Sequence, residues 1–201
     1  MKAEKKKRKI RLNAKNIVVL IFLIALIVGF YLYTSDNAKE KKIEQDEYTV
    51  LSSKDLETGY PETPKEVVKL YCRMAKYLYD DSISVEETET IVQQMRKLFA
   101  EPLLDANTLE SQLEKLEKDV KGYASEQKKI IGYEVDEKSL ETQEVKGVEK
   151  ATIVAGFSVK HKDEYEHTNE EFVLVKDTDG RWKIFGWQLA EDYVSSEETE
   201  S

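Results

Sequence analysis

Hydrophobic positions along this chain fall into three regimes. Residues 17–33 read IVVLIFLIALIVGFYLY, a continuous apolar run. Between residues 63 and 123 the apolar side chains recur three and four apart, the spacing of amphipathic helices. Between residues 130 and 189 they alternate, the spacing of strands. One apolar segment, then helices, then strands predicts an α+β unit behind a single membrane span.

The helical regime carries its own start signals. Thr63-Pro64-Lys65-Glu66 has the form of a capping box with proline at the first helical position. It predicts a helix over 63–79 whose broad apolar face (Val67, Tyr71, Met74 and Leu78, flanked by Val68, Cys72 and Ala75) is deeply packed. Ser84-Val85-Glu86-Glu87 repeats the box and opens a second helix, which runs to Phe99 and is closed by Glu101-Pro102. Asn107-Thr108-Leu109-Glu110 opens a third, with Leu109, Leu113, Leu116, Val120 and Tyr123 in a narrow stripe and Gly122 at its end.

In the alternating regime, 130–135 reads as a short strand and 142–147 as a turn or weak edge. Over 150–160, Ala151, Ile153, Ala155, Phe157 and Val159 share one face. A strand at 170–176 leads through the hairpin signal Asp177-Thr178-Asp179-Gly180 into a last strand at 181–189. There strict alternation puts Trp182 and Ile184 on one face and Phe185, Trp187 and Leu189 on the other. The expected architecture is an N-terminal transmembrane helix, then three helices packed on a curved antiparallel sheet of about four strands.

Charge fixes the expected topology. Widened to the nearest charges, the apolar run covers residues 16–35, and 20 uncharged residues make a helix of roughly 30 Å, a bilayer's hydrocarbon thickness. Residues 1–15 hold eight basic side chains against Glu4, a net +7; the formal total is −9, so the rest of the chain sums to −16. Lys and Arg are retained on the cytoplasmic side. The N-terminus is therefore expected inside and the remainder outside. After Tyr33 the chain reads TSDNAKE, without the small-x-small pattern of a signal-peptide cleavage site, which predicts a retained anchor. The predicted organisation is a basic cytoplasmic tail at 1–15, the span at 16–35, a charged stalk at 36–62, an extracytoplasmic domain at 63–190 and an acidic disordered tail at 191–201.

The chemistry on offer is sparse. A single cysteine, Cys72, forbids an internal disulfide and reads as a buried small hydrophobe. The acidic outer portion argues against nucleic acid, which needs clustered positive charge. The two histidines, His161 and His167, sit in a polar hairpin end, where a metal site would need a third ligand such as Glu164 or Glu166. No phosphate loop, CxxC pair or dinucleotide fingerprint is present, so no cofactor is expected. A buried Asp–Tyr pair would draw on Tyr71, Tyr79, Tyr123 or Tyr133 and on Asp105 or Asp119, all of which have simpler roles at helix edges or in the core. Tyr71, Tyr123, Tyr133, Phe157, Trp182 and Trp187 are the candidates to line a cavity for a small apolar ligand. In the apolar run, Ala25 and Gly29 form a small-xxx-small pair suited to close helix approach, with a second copy as partner.

Helices first, a bent antiparallel sheet after, and a closing hairpin Asp179-Gly180-Arg181-Trp182-Lys183-Ile184 resemble the nuclear transport factor 2-like superfamily over residues 63–190. The sequence is also similar to a group of single-pass, membrane-anchored Gram-positive bacterial proteins with an outer domain of that kind. The resemblance implies a cone-shaped fold that hosts enzymes and binding modules alike. Without core catalytic groups, the expectation is a non-enzymatic interaction or scaffold domain of the cell envelope. It would be held by membrane lipid through residues 16–35 and bound to a protein partner. The alternative is a ligand-binding or sensing domain.

Overall fold

The computed structural model describes residues 46–191 and Tyr193. The basic tail, the expected span with Ala25 and Gly29, and residues 36–45 lie outside the described residues. So do Asp192 and residues 194–201, most of the predicted acidic tail. The chain divides into two units, Met1–Gln45 and Asp46–Ser201, and the described residues all belong to the second. Among them no helix is long and apolar enough to cross a membrane.

Five helices and four strands are seen among the described residues: α1 (Glu47–Ser52), α2 (Pro64–Leu78), α3 (Val85–Arg96), α4 (Glu101–Ala106), α5 (Leu109–Ser125), β1 (Lys128–Val145), β2 (Val148–His161), β3 (Glu164–Lys176) and β4 (Trp182–Leu189). The strands form one open antiparallel sheet in the order β1-β2-β3-β4. The class is α+β.

Both capping boxes form. Thr63 Oγ1 accepts from the Glu66 amide while the Glu66 carboxylate accepts from the Thr63 amide; Ser84 and Glu87 do the same. Each exchange satisfies donors that a helix start leaves open. Helix α2 is the central helix: Val67, Val68, Cys72 and Met74 are fully buried, with Leu70, Tyr71, Ala75 and Leu78 beside them. They meet the inner face of the sheet, where Ile153, Ala155, Phe172, Leu174 and Ile184 are also fully buried.

Several expectations need correction. The spacer does not extend to residue 62. Helix α1 packs on the domain through Leu51, fully buried, and the turn after it through Leu56, 2 % exposed. Arg73 holds it from α2, with Nε and Nη2 donating to the two Glu47 carboxylate oxygens at 2.7 and 2.8 Å. Gln94 holds it from α3, its Nε2 donating to the Ser52 carbonyl at 2.6 Å. The folded unit thus begins at Asp46. Pro102, expected only to end the second helix, also starts α4, because a proline lacks only an N–H that the first turn leaves unpaired anyway. Three expected helices become five.

Gly122 does not end the last helix. Helix α5 continues to Ser125, and the reversal falls at Gln127, with φ +58°.

Strand β1 is a single 18-residue strand rather than a short strand followed by a weak edge. It runs on through 136–145 to a two-residue turn at Lys146-Gly147, where both φ are positive (+55° and +80°), the geometry of a type I′ hairpin. As an edge strand it buries only Ile130, so it carries no apolar alternation to find. The far edge, β4, is partly covered: the Ala100 amide donates to the Ile184 carbonyl at 2.9 Å and the Ile184 amide to the Leu98 carbonyl at 2.8 Å. Covering an edge in this way blocks pairing with another chain there.

Strict alternation also fails in β4. Val173 pairs with Gly186 but Leu174 pairs with Ile184, so Phe185 is an extra residue. This bulge swaps the faces beyond it. Trp187 turns inward beside Phe172, while Phe185 stays 47 % exposed outside.

Candidate functional site

A crevice of about 320 Å3 opens between α2, α3, α5 and β4. Its apolar walls include Tyr71 from α2 and Tyr79 just past the end of that helix, Met95 from α3, Leu116 from α5 and Trp187 from β4. Tyr71 is the hub. Its ring centroid lies 5.1 Å from Trp187, 5.2 Å from Phe172 in an edge-on arrangement, and 6.1 Å from Phe99. Phe172 and Trp187 stack at 5.9 Å. A cluster of rings at these separations forms a stiff wall. Tyr79 and Tyr123 continue it, 4.8 Å apart and edge-on.

The rim is polar and mostly self-satisfied. Arg96 Nη1 donates to the Asn107 carbonyl at 2.7 Å and to Gln112 Oε1 at 2.9 Å, and Lys115 Nζ donates to Asn107 Oδ1 at 3.3 Å. Asp119 lies on the same rim.

One carboxylate stands apart from these pairings. Glu170 lies on the inner face of β3, paired with Ala155 on β2 and Leu189 on β4. It is one inward position from Phe172, whose partner across the strands is Trp187. Its carboxylate has no hydrogen bond or ion pair among the described residues, and its partial burial raises its affinity for a proton, but it is not among the residues that line the crevice. Its charge in turn helps to push the Tyr71, Tyr79 and Tyr123 hydroxyls and the Cys72 thiol upward, though burial is the larger cause in each.

Of the six aromatic residues expected to line one cavity, the structure brings two together at the crevice, Tyr71 and Trp187. Tyr123 stands behind Tyr79. Phe157 is buried in the sheet and pairs with Tyr133 across β1 and β2. Tyr133 instead lines a charged hollow with Glu47, Arg73, Asp80 and Lys129. There the Arg73 hydrogen bonds hold the Glu47 carboxyl below its usual range. Trp182 is buried at the other end of β4, where its carbonyl accepts from the Tyr60 hydroxyl at 2.8 Å.

Among the described residues no group of three or more His, Cys, Asp or Glu can hold a metal ion. His161 Nδ1 lies 3.3 Å from Glu166 Oε1, and His167 Nδ1 lies 3.5 Å from Ser158 Oγ. Neither histidine lines the crevice. Asp105 is exposed on α4.

A third feature is a groove between the start of α3 and the outer side of α5. Its floor is apolar (Leu78, Ile83, Leu113, Leu116, Val120) and its rim carries Asp80, Asp81, Glu89, Glu114 and Glu117 against Lys121 alone. Lys121 is already paired with Glu117. Although α5 is 17 residues long, none of them is buried.

A family model described as a domain of unknown function, DUF6715, matches residues 1–187. The chain belongs to this family. No curated protein matches it. The DUF6715 pattern takes in the basic tail and the apolar run as well as the α+β unit, and reaches Trp187 of the aromatic wall. Glu170 falls inside the same DUF6715 match, and sequence reasoning passed over it. The signal was there: in Glu170-Glu171-Phe172-Val173-Leu174, Glu170 shares the parity of Phe172 and Leu174 and so shares their face.

Proposed function

We propose that this chain is a membrane-tethered, non-catalytic interaction domain of the cell envelope. The span at 16–35 holds it and the basic tail stays in the cytoplasm. In this reading the outer unit is a member of the nuclear transport factor 2-like superfamily. The four-strand meander with helices on one face, closed by the Asp177–Gly180 turn, supports that relationship.

The observation that carries the reading is the groove on α5. A helix of 17 residues without one fully buried side chain has an apolar stripe that is only half-covered, with Leu113, Leu116 and Val120 in the groove floor. A half-covered apolar groove is a surface that a partner can complete, and an acidic rim selects which partner. The occupant that fits is a basic amphipathic helix of a partner protein, apolar side down and lysines or arginines against Asp81, Glu89 and Glu114.

A photo-crosslinking residue placed at Leu116 in intact cells tests this. The expected product is one discrete adduct, joined through a basic amphipathic segment of the partner, and it should be lost when Asp81 and Glu114 are both replaced by lysine. Absence of an adduct, or one indifferent to the charge reversal, overturns the proposal.

The crevice favours a second reading, a site for a small apolar ligand. Tyr71 and Trp187 line it beside Met95 and Leu116, and its volume is about 320 Å3. That volume sits at the low end of ligand pockets.

A further inference from the structure

The mouth of the crevice holds positive charge without a counter-ion. Among the described arginines, Arg73 meets the Glu47 carboxylate and Arg181 that of Glu57. Arg96, half-buried on α3, meets only neutral oxygens, the Asn107 carbonyl and Gln112 Oε1. Lys115 reaches Asn107 from α5, and its hydrogen bond to Oδ1 is long, at 3.3 Å. Neither cation has a carboxylate within ion-pair distance among the described residues. A half-buried charge without a counter-ion is unfavourable, and an anion brought to it offsets that cost.

The hydrogen-bonding groups at the mouth leave donors over. Asn107 is occupied on both sides, its Nδ2 donating to the Leu103 carbonyl at 3.2 Å while its Oδ1 accepts from Lys115. Gln112 accepts from Arg96 at Oε1, so its Nε2 is left without a partner among the described residues. The remaining N–H groups of Lys115 are likewise unspent. Asn107, Gln112 and Lys115 all line the crevice, together with the apolar Met95, Leu103 and Leu116. Asp119 is the acid on that lining. It is exposed, one helical turn beyond Lys115, on the side of Tyr79 and Tyr123, where its charge acts on those two hydroxyls.

Resting on the reading of the crevice as a ligand site, we infer that its ligand is a monocarboxylic acid with an apolar body. The body lies against Tyr71, Met95 and Trp187, and the carboxylate accepts from Lys115 Nζ and Gln112 Nε2 at the mouth. Arg96 does not line the crevice and acts as a positioning residue. By holding Gln112 Oε1 it turns the amide so that Nε2 is the group left free. An amine ligand would meet Lys115 with like charge, and a hydrocarbon would leave the donors at the mouth without an acceptor.

Three water-soluble probes of one shape, 3-phenylpropanoate, 3-phenylpropanol and 3-phenylpropylamine, test the inference at neutral pH. Binding is followed by calorimetry on the full chain in phosphatidylcholine nanodiscs, with empty nanodiscs as the blank. The acid should bind about fivefold tighter than the alcohol, the worth of a charge-assisted contact at a partly open mouth, and the amine should bind weakest. In Lys115→Met the acid should lose its margin over the alcohol. Arg96→Gln should narrow that margin; weakening of acid and alcohol in proportion would overturn its positioning role. Equal binding of acid and alcohol by the native chain, or tightest binding of the amine, overturns the carboxylate assignment and leaves the apolar site standing. Binding of none of the three, or binding that Trp187→Ala does not weaken, overturns the apolar site itself and the assignment with it.

Discussion

Trp187 stacks on Phe172 at 5.9 Å because Phe185 is an extra residue in β4. Without the bulge the indole would face away from the helices and the crevice would lose a wall. Replacing Trp187 with alanine should therefore destabilise the domain by about 2–3 kcal/mol, below the range for a fully buried tryptophan because the side chain is 38 % exposed. Phe185→Ala, on the solvent side, should stay within about 0.5 kcal/mol. Urea unfolding midpoints of the two variants check the contrast, and equal losses would contradict the inward placement of Trp187.

Leu51 makes the same kind of test for the start of the domain. It is fully buried, and α1 is tied down by Arg73 and Gln94. Leu51→Ala should cost about 3 kcal/mol. A fragment beginning at residue 63 should lose the sharp cooperative unfolding of one beginning at residue 46. If both fragments melt alike, α1 is a bystander.

What the sequence disclosed and what it hid divide along physical lines. The capped helices α2 and α3 and the inward row Ala151 to Val159 were legible because burial enforces a period and caps use few residue types. Helix α1 was hidden because it has six residues and only Leu51 fully inside, too few to show a period. Strand β1 was hidden because an edge strand buries little. The bulge at Phe185 was hidden because alternation is a local rule, and only pairing with β3 shows where it slips. Tyr71 and Trp187 were found as aromatic candidates. Glu170 was missed because an acid in a strand ordinarily reads as its solvent side, although its parity with Phe172 placed it inward.

Cys72 should behave as a silent thiol. It has no exposed surface, and burial pushes its thiol well above the ordinary range, with the Glu170 charge adding to the shift. The thiolate is the reactive form. Reaction with an aromatic disulfide reagent at pH 8 should be negligible in the native state and complete within minutes in urea. Rapid labelling of the native chain would show that α2 opens from the sheet.

Glu170 should make the domain less stable as the pH rises. Its folded-state pKa lies above the ordinary glutamate value of 4.5 because burial disfavours the charged form. Between the two values the folded chain holds a proton that the unfolded chain has released, so stability falls with rising pH across that window and stays lower above it. The groups facing Glu170 do not blur this. Tyr71 and Cys72 on α2, Tyr79 just past its end and Tyr123 on α5 are all shifted upward, away from the carboxylate window. Glu47 and Asp80 act in the opposite sense, since the hydrogen bonds that depress them are lost as the pH falls, but they do so equally in any variant at position 170. Glu170→Gln should therefore melt at a higher temperature than the native chain at pH 7, with the advantage shrinking to nothing as the pH is lowered below about 4.5. Paired melting curves from pH 3.5 to 7.5 decide it. A variant that is destabilised at neutral pH would mean that the carboxylate has a partner after all.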